Sequence, residues 1–326
     1  MPPIVSAVIT TYNSANSIGA CLNSLLGQRY QSLEILVIDN ASSDQTRELL
    51  NQFRDRAQIV FNQQNVGFAA AQNRGFSQAN GDWLLSLNPD VILDPDFITQ
   101  LIAAADQDSK VGTLCGKLLR WMPGTIEERS KIVDSSGIYF TRTLRHFDRG
   151  AEEPDRGQYD RSEYVFGATG AAALYRREMI LDISVDGQFF DEDFFAYRED
   201  ADVAWRAQLM DWKCLYVPTA VGWHIRRVTP ERFQQLPLVI NWHSVKNRFL
   251  MRAKNISAPL YRRVFLPTSL RDALIVGYCF LRDWRLLSAL WFVWKKRKNL
   301  LRKRRWIQTH RRVPDGELLH WFTSGR

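Results

Sequence analysis

The chain has 326 residues, long enough for one large domain or two modest ones. With 45% hydrophobic and 24% charged residues, and only 18 Gly and 12 Pro, it is neither disordered nor collagen-like nor low-complexity. The formal net charge of +8 hides an asymmetry, because 20 Lys+Arg and 4 Asp+Glu fall between Val245 and Arg326, leaving 23 basic and 31 acidic residues before them.

The start, MPPIVSAVIT, lacks a charged region followed by a long apolar stretch, so no secretory signal is expected. Ile4–Thr11 predicts a short buried strand. Ser14–Leu26 carries apolar residues at helical spacing, with Ser14 or Asn16 as a cap. Glu34–Asp39 (EILVID) is a near-continuous apolar run, the pattern of a parallel strand covered on both faces. Ser43 or Asp44 then caps a helix through Phe53. Gln58–Phe61 is a third strand, Gly67–Gln78 a small-residue helix and Trp83–Leu87 a fourth strand. Pro95–Ala105 predicts a helix with Pro95 in its first turn, and Val111–Gly116 another strand. Strands separated by helices imply right-handed βαβ units. The rhythm breaks between residues 119 and 163, which predict an insertion or small antiparallel region. It resumes at Gly170–Tyr175, with a helix at Glu199–Met210 and a strand at Lys213–Val217. Cys21, Cys115, Cys214 and Cys279 stand far apart with no CxxC pair, which suits a reducing cytoplasm.

Ligands of open α/β sheets bind outside the carboxyl ends of the strands. Four polar clusters fall there: Thr10–Asn13, Asp39–Asp44, Asn62–Gly67 and Asn88–Asp90. Each alone fits an ordinary turn. Four on one edge of one sheet point to a site.

The segments VSAVITTYNSANSIGACLNSLL and EILVIDNASSDQT, the tripeptide NPD and a later ED before a helix resemble glycosyltransferase family 2 over residues 4–225. NQQNVGFAAAQNRG is similar to the family's rhamnosyltransferase-type branch. The resemblance implies a GT-A fold, an α/β Rossmann-like and mostly parallel sheet flanked by helices, and a nucleotide-sugar donor. It implies that Asp39 accepts the N3–H of uracil or thymine, that Thr11, Tyr12 and Asn13 line the nucleoside pocket, and that Asn65 and Arg74 lie near ribose or diphosphate. For Asp39 a helix cap, and for Arg74 a surface charge, are the plain structural readings.

Family members hold a divalent cation on the diphosphate with a DxD-like element. Here its first position is Asn88, whose amide oxygen can ligate or bind the sugar but adds no charge, so Asp90 carries the metal alone or with a distant ligand; an Asn-Pro-Asp turn is the plain structural reading. The resemblance points to His224, in GWHIRR after the last strand, although a lone histidine also reads as structural; the adjacent Arg226 and Arg227 either help neutralise the diphosphate or face solvent. Mn²⁺ or Mg²⁺ suits such oxygen-rich donors, and imidazole prefers Mn²⁺. The resemblance makes Asp200 the general base of an inverting transfer and Glu199 its neighbour in acceptor binding. Acidic residues in a helix's first turn also suit its dipole. The aromatic run Phe189, Phe190, Phe194, Phe195 and Tyr197 reads either as a sugar-stacking wall or as core. Gly167–Ala173 is small enough to lie beneath a sugar.

In the tail, Ala273–Leu281 is apolar, Arg282, Asp283 and Arg285 interrupt, and Trp284, Leu287, Trp291 and Trp294 recur at helical spacing. Lys295–Lys298 (KKRK) and Arg302–Arg305 (RKRR) follow. Apolar aromatics beside dense positive charge describe a helix lying in the interface of an anionic membrane. Protein contact ranks second and nucleic acid third. The sequence thus predicts a catalytic domain over 1–228 and a helical, basic, Trp-rich region over 229–326. The expected enzyme is cytoplasmic, peripheral on the inner membrane face and metal-dependent. It moves a sugar, dTDP-rhamnose first and UDP-sugars second, to a glycan or lipid-linked acceptor. A homo-oligomer stays open. The rival is a non-catalytic nucleotide- or glycan-binding scaffold of an envelope assembly complex.

Overall fold

A computed structural model describes residues 2–121, 129–226 and 237–323. The first half alternates β1 (Val5–Thr11), α1 (Ile18–Leu26), β2 (Leu33–Asp39), α2 (Thr46–Asn51), β3 (Gln58–Phe61), α3 (Phe68–Gln78) and β4 (Trp83–Leu87). Every residue of β1 is buried, which is why its sequence, VSAVITT, carries no charge and only small hydroxyl side chains among its apolar ones. β1 pairs in parallel with β2 and β4, and β2 with β3. The register sets Thr11 beside Asp39 and Asp39 beside Phe61, so the three strands end at one level. That shared level brings the polar clusters to a single rim.

The chain continues through β5 (Val91–Leu93), α4 (Phe97–Ala105), β6 (Val111–Trp121), β7 (Arg129–Ser135), β8 (Ile138–Phe140), β9 (His146–Asp148), β10 (Glu163–Val165), β11 (Ala172–Arg176), α5 (Arg177–Ile183), α6 (Glu199–Leu209) and β12 (Lys213–His224). The sheet order is β10-β12-β6-β11-β4-β1-β2-β3, with β5 added on β12 and β7 on β6. β11 runs antiparallel between β4 and β6, while β6 and β12 are parallel. The result is a mixed Rossmann-like sheet of the GT-A kind, flanked by helices. Leu22, Val37, Leu85 and Leu101 belong to one core layer. Leu36, Phe76, Tyr175 and Phe190 belong to another.

Three differences from the sequence expectation matter. Helix α4 begins at Phe97, because Asp94 closes a turn by accepting the Asp96 and Phe97 amides and leaves Pro95 outside. β12 extends to His224, so that histidine ends a strand rather than following one. β5 is a strand the Asn-Pro-Asp turn concealed.

Beyond residue 236 come α7 (Leu238–Asn255), α8 (Ala258–Arg282), α9 (Ser288–Lys295) and α10 (Arg297–His310). They share a third core with α6 and the β8–β9 hairpin, in which Trp205, Phe140, Phe166, Met251, Ile307 and Phe322 are buried. Gly167 sits where a Cβ would meet the Ala204 Cβ at 2.2 Å, so α6 lies tight on the strand-side segment. The basic runs are not a free cationic face. Lys296 donates to Asp193 at 2.7 Å, Lys303 to Asp191 at 2.6 Å, and Arg302 pairs with Asp186. Of the eight basic residues in KKRK and RKRR, which the sequence offered to an anionic membrane, these three are occupied inside the protein. The proposed boundary at residues 228 and 229, and Arg227, lie outside the described residues.

Candidate active site at the sheet rim

Asp39 closes β2 with no exposed surface. Its Oδ2 accepts from Arg47 Nε at 2.7 Å and from the Ser42 amide at 3.2 Å. Its Oδ1 is buried and has no partner. A buried acceptor left open is costly unless a ligand completes it, and an incoming N–H would do so. The Thr11 hydroxyl is likewise buried and unsatisfied, and Tyr12 is 48% exposed beside it. Asn13 adopts a φ of 48°, held by bonds between its backbone and Ser42 and between its Oδ1 and the Ser43 amide. Asn65 and Arg74 have local work. Asn65 Oδ1 accepts from Asn40 Nδ2 at 3.0 Å and from the Gly67 amide at 2.9 Å, and Arg74 donates to Asn62. They brace the loop after β3.

The NPD turn sits deeper. β5 pairs antiparallel with β12, setting Val91 opposite His224, and the Ile225 amide donates to the Asp90 carbonyl at 3.0 Å. His224 Nε2 therefore lies 3.4 Å from Asp90 Oδ1, while its Nδ1 lies 2.8 Å from Asp134 Oδ2. Asp134 is braced by Arg120 at 3.2 Å and Arg226 at 3.5 Å. Burial alone would lower the imidazole, but Asp134 and Asp90 outweigh it and lift His224 to about 9. Burial would raise Asp134, yet His224 and the two arginines hold it below the usual carboxylate range. A carboxylate behind the far nitrogen is the arrangement that orients a metal-binding imidazole. Among the described residues no cluster of three or more His, Cys, Asp or Glu forms a complete metal cage. Asp90 and His224 fit a two-ligand cation whose other positions belong to water and phosphate oxygens. Asp134 was invisible to sequence reasoning, since nothing local marks it.

Asp200 stands in the first turn of α6. Its Oδ2 accepts the Gly170 amide at 2.9 Å and its Oδ1 the Ala201 amide at 2.7 Å. The next carbonyl, that of Ala171, accepts the Asn88 amide at 2.9 Å. One peptide link thus joins the Asp200 carboxylate to the NPD turn. Burial pushes Asp200 above the ordinary aspartate value despite those two bonds, and Arg198 pulls the other way. Burial and the Asp200 charge push Glu199 up as well, and Glu199 Oε2 is buried without a partner. Asp202 points away from them, into an ion cluster with Arg206, Lys254 and Asn255.

The loop before α6 is unusual. Phe195, Tyr197 and Arg198 have φ values of 66°, 72° and 69°. Left-handed backbone at non-glycine residues is strained and must be held. The holder is Asn247 of α7, whose Nδ2 lies 3.1, 2.8 and 2.7 Å from the carbonyls of Phe194, Ala196 and Tyr197. Lys246 adds a bond to the Asp193 carbonyl at 2.6 Å. Of the aromatic run, Phe189, Phe190 and Phe194 are core. Phe195 covers Gly67 and stacks on His243, and Tyr197 is exposed.

A family model described as "Glycosyl transferase family 2" matches residues 6–183, more than half of the chain. Over 273 residues the chain is 26% identical to "Poly-beta-1,6-N-acetyl-D-glucosamine synthase" of Staphylococcus aureus, covering 80% of this chain and 60% of the relative. The chain therefore spans about 60% of the length of that curated relative. Among solved structures, GalNAc-T7 with UDP, GalNAc and Mn²⁺ superposes with a TM-score of 0.59 at 14% identity, covering 77% of this chain and 48% of the other. TarS 1–349 of S. aureus in complex with UDP-GlcNAc gives 0.55 at 15% identity, covering 88% and 79%.

Proposed function

This chain belongs to glycosyl transferase family 2, and on that premise we propose that it is an inverting, metal-dependent enzyme moving a sugar from a uridine or thymidine diphosphate donor to an acceptor hydroxyl. The observation that carries the reading is the Gly170–Ala171 link, which sets the Asp200 carboxylate and the NPD turn on one rim. Asp39 Oδ1 receives the base N3–H, with Thr11, Tyr12 and Asn13 around the nucleoside. Asp90 and His224 would hold the divalent cation, which would supply positive charge against the leaving diphosphate. Asn88 lies beside the sugar, and Asp200 removes the proton from the attacking hydroxyl. Its raised affinity for protons suits that work. Glu199 adjoins it on the acceptor side.

The sequence put dTDP-rhamnose before UDP-sugars. The curated relative named as an N-acetylglucosamine polymer synthase reverses that order and puts N-acetylglucosamine forward as the sugar. The acceptor is a glycan or lipid-linked glycan of the cell envelope. Docking is peripheral, on the cytoplasmic face of an anionic membrane. Helix α8 is long and apolar enough to cross a bilayer. Yet Thr268 bonds the Arg142 carbonyl, and Asp272 pairs with Arg248 and Arg252, so one face is pinned to the protein. The opposite face, with Leu266 77% and Leu281 82% exposed, lies along the surface, and Trp284, just past the helix end, is 74% exposed. A non-catalytic scaffold has no use for two buried carboxylates that resist ionisation.

A thermal-shift series tests the donor site. UDP-N-acetylglucosamine and dTDP-rhamnose should each raise the melting temperature with Mn²⁺ and not with EDTA, while GDP-sugars should not. An undiminished response after rigorous metal removal eliminates Asp90 and His224 as ligands. No response to either donor eliminates the base-binding role of Asp39.

A further inference from the structure

Asp39 is met by a guanidinium that grips it with only part of its capacity. Arg47, the second residue of α2, donates from Nε to Asp39 Oδ2 at 2.7 Å and from Nη2 to the Asn62 carbonyl at 2.8 Å. Its guanidinium carbon lies 5.2 Å from the centre of the Phe61 ring. The ends of β2 and β3 together therefore fix this side chain, yet it remains 40% exposed. An arginine can hold a carboxylate through two parallel bonds. This one sets a single nitrogen on Asp39 and gives the second to a backbone carbonyl. Asp39 Oδ1 is left buried and unpartnered, and among the described residues Arg47 Nη1 bonds no protein atom. One ion pair thus carries an open acceptor on one partner and an open donor on the other.

A carboxylate only accepts and a guanidinium only donates. Uracil and thymine each present an N–H at N3 flanked by carbonyl oxygens, a donor beside an acceptor. Cytosine reverses the pattern, with a bare ring nitrogen at N3 and an amine on the neighbouring carbon. It would set a lone pair against Asp39 Oδ1 and an N–H against Arg47, leaving polar groups of the site unpaired. We infer that Arg47 is a specificity-determining residue of the donor site. With Asp39 it reads the imide edge of uracil or thymine, Nη1 donating to a ring carbonyl while Oδ1 accepts the N3–H, and so it rejects cytosine. The inference rests on the transferase reading and adds to it the group that separates two pyrimidines of nearly equal size. A bracing role would need Arg47 only as a charge on Asp39, whereas reading the base needs the planar fork.

The test titrates the whole chain with UDP and with CDP by calorimetry in Mn²⁺. Ribose, diphosphate and cation are common to both, so the ratio of affinities reports the base alone. The wild type should prefer UDP by about tenfold or more, the size of one charge-assisted hydrogen bond. Arg47→Met should reduce that ratio about tenfold, chiefly by weakening UDP. Arg47→Lys keeps a cation on Asp39 without the fork, so it should melt close to the wild type and lose the preference too. A wild-type ratio in Arg47→Lys overturns the inference whatever Arg47→Met does, because it marks a charge that merely braces the rim. An equal loss of UDP and CDP affinity in the variants overturns it for the same reason. Equal binding of the two nucleotides by the wild type overturns it as well. A wild type that binds neither removes the donor site of the transferase reading and the inference with it, whereas a UDP preference that does not depend on Arg47 removes the inference alone.

Discussion

The molecule treats buried carboxylates in two opposite ways. Beneath the C-terminal helices, Asp191, Asp193 and Asp202 are matched. Lys254 reaches Asp191 at 2.5 Å and Asp202 at 3.0 Å, Lys303 reaches Asp191 at 2.6 Å and Asp193 at 3.1 Å, and Arg206 reaches Asp202 at 3.1 Å. Burial would raise Asp191, but Lys254 and Lys303 drive it well below the usual range. A few residues along, Glu199 and Asp200 form no ion pair among the described residues, Arg198 offsets the burial of Asp200 only in part, and both are pushed up. The same residue types, equally buried, brace the fold in one place and are kept eager for a proton in the other. Unmatched burial marks the site, and matched burial marks the frame.

Three experiments break or sharpen this contrast. The largest effect should come from Asp200→Asn. Transfer should fall about 10²–10⁴-fold with donor affinity by calorimetry unchanged, and turnover near the wild-type rate would strip Asp200 of its role. Next is Lys254→Met, which leaves two buried carboxylates short of a cation and should cost about 3–5 kcal/mol in denaturant unfolding. A loss too small to measure would show that the frame does not depend on matched charge. The smallest effect concerns Glu199. Between the ordinary glutamate range and its raised native value, the folded protein holds a proton the unfolded chain has lost. Stability therefore declines as pH rises through that window. Glu199→Gln should flatten the decline in melting temperature from mildly acid to mildly alkaline conditions, and an unchanged slope would show that Glu199 ionises freely.

Much of the frame could be read from the residues. EILVID and WLLSL announce buried parallel strands because no charged residue interrupts the part that must pack on both sides, the one polar side chain there being the small Ser86. The strand ends therefore stood out as polar clusters. β5 could not be read, since three residues after Asn-Pro-Asp look like the tail of a turn, and it is β5 that sets His224 beside Asp90. Asp134 lies 90 residues from His224, so only tertiary structure joins them. Lys303 was misread for a physical reason. Within RKRR it looks solvated, and only the fold reveals a pair of aspartates waiting opposite. Asn247 sits mid-helix among basic residues, with nothing local to show that three carbonyls converge on its amide.

That amide has a practical consequence for anyone dissecting the protein. The strained turn before Asp200 is propped from α7, and α7 is in turn locked by α10, so the catalytic half is not a portable module. A fragment trimmed after the last strand, or a chimera grafting another relative's tail at that seam, would keep the rim formed by β1, β2 and β3 and lose the prop that holds the turn before Asp200.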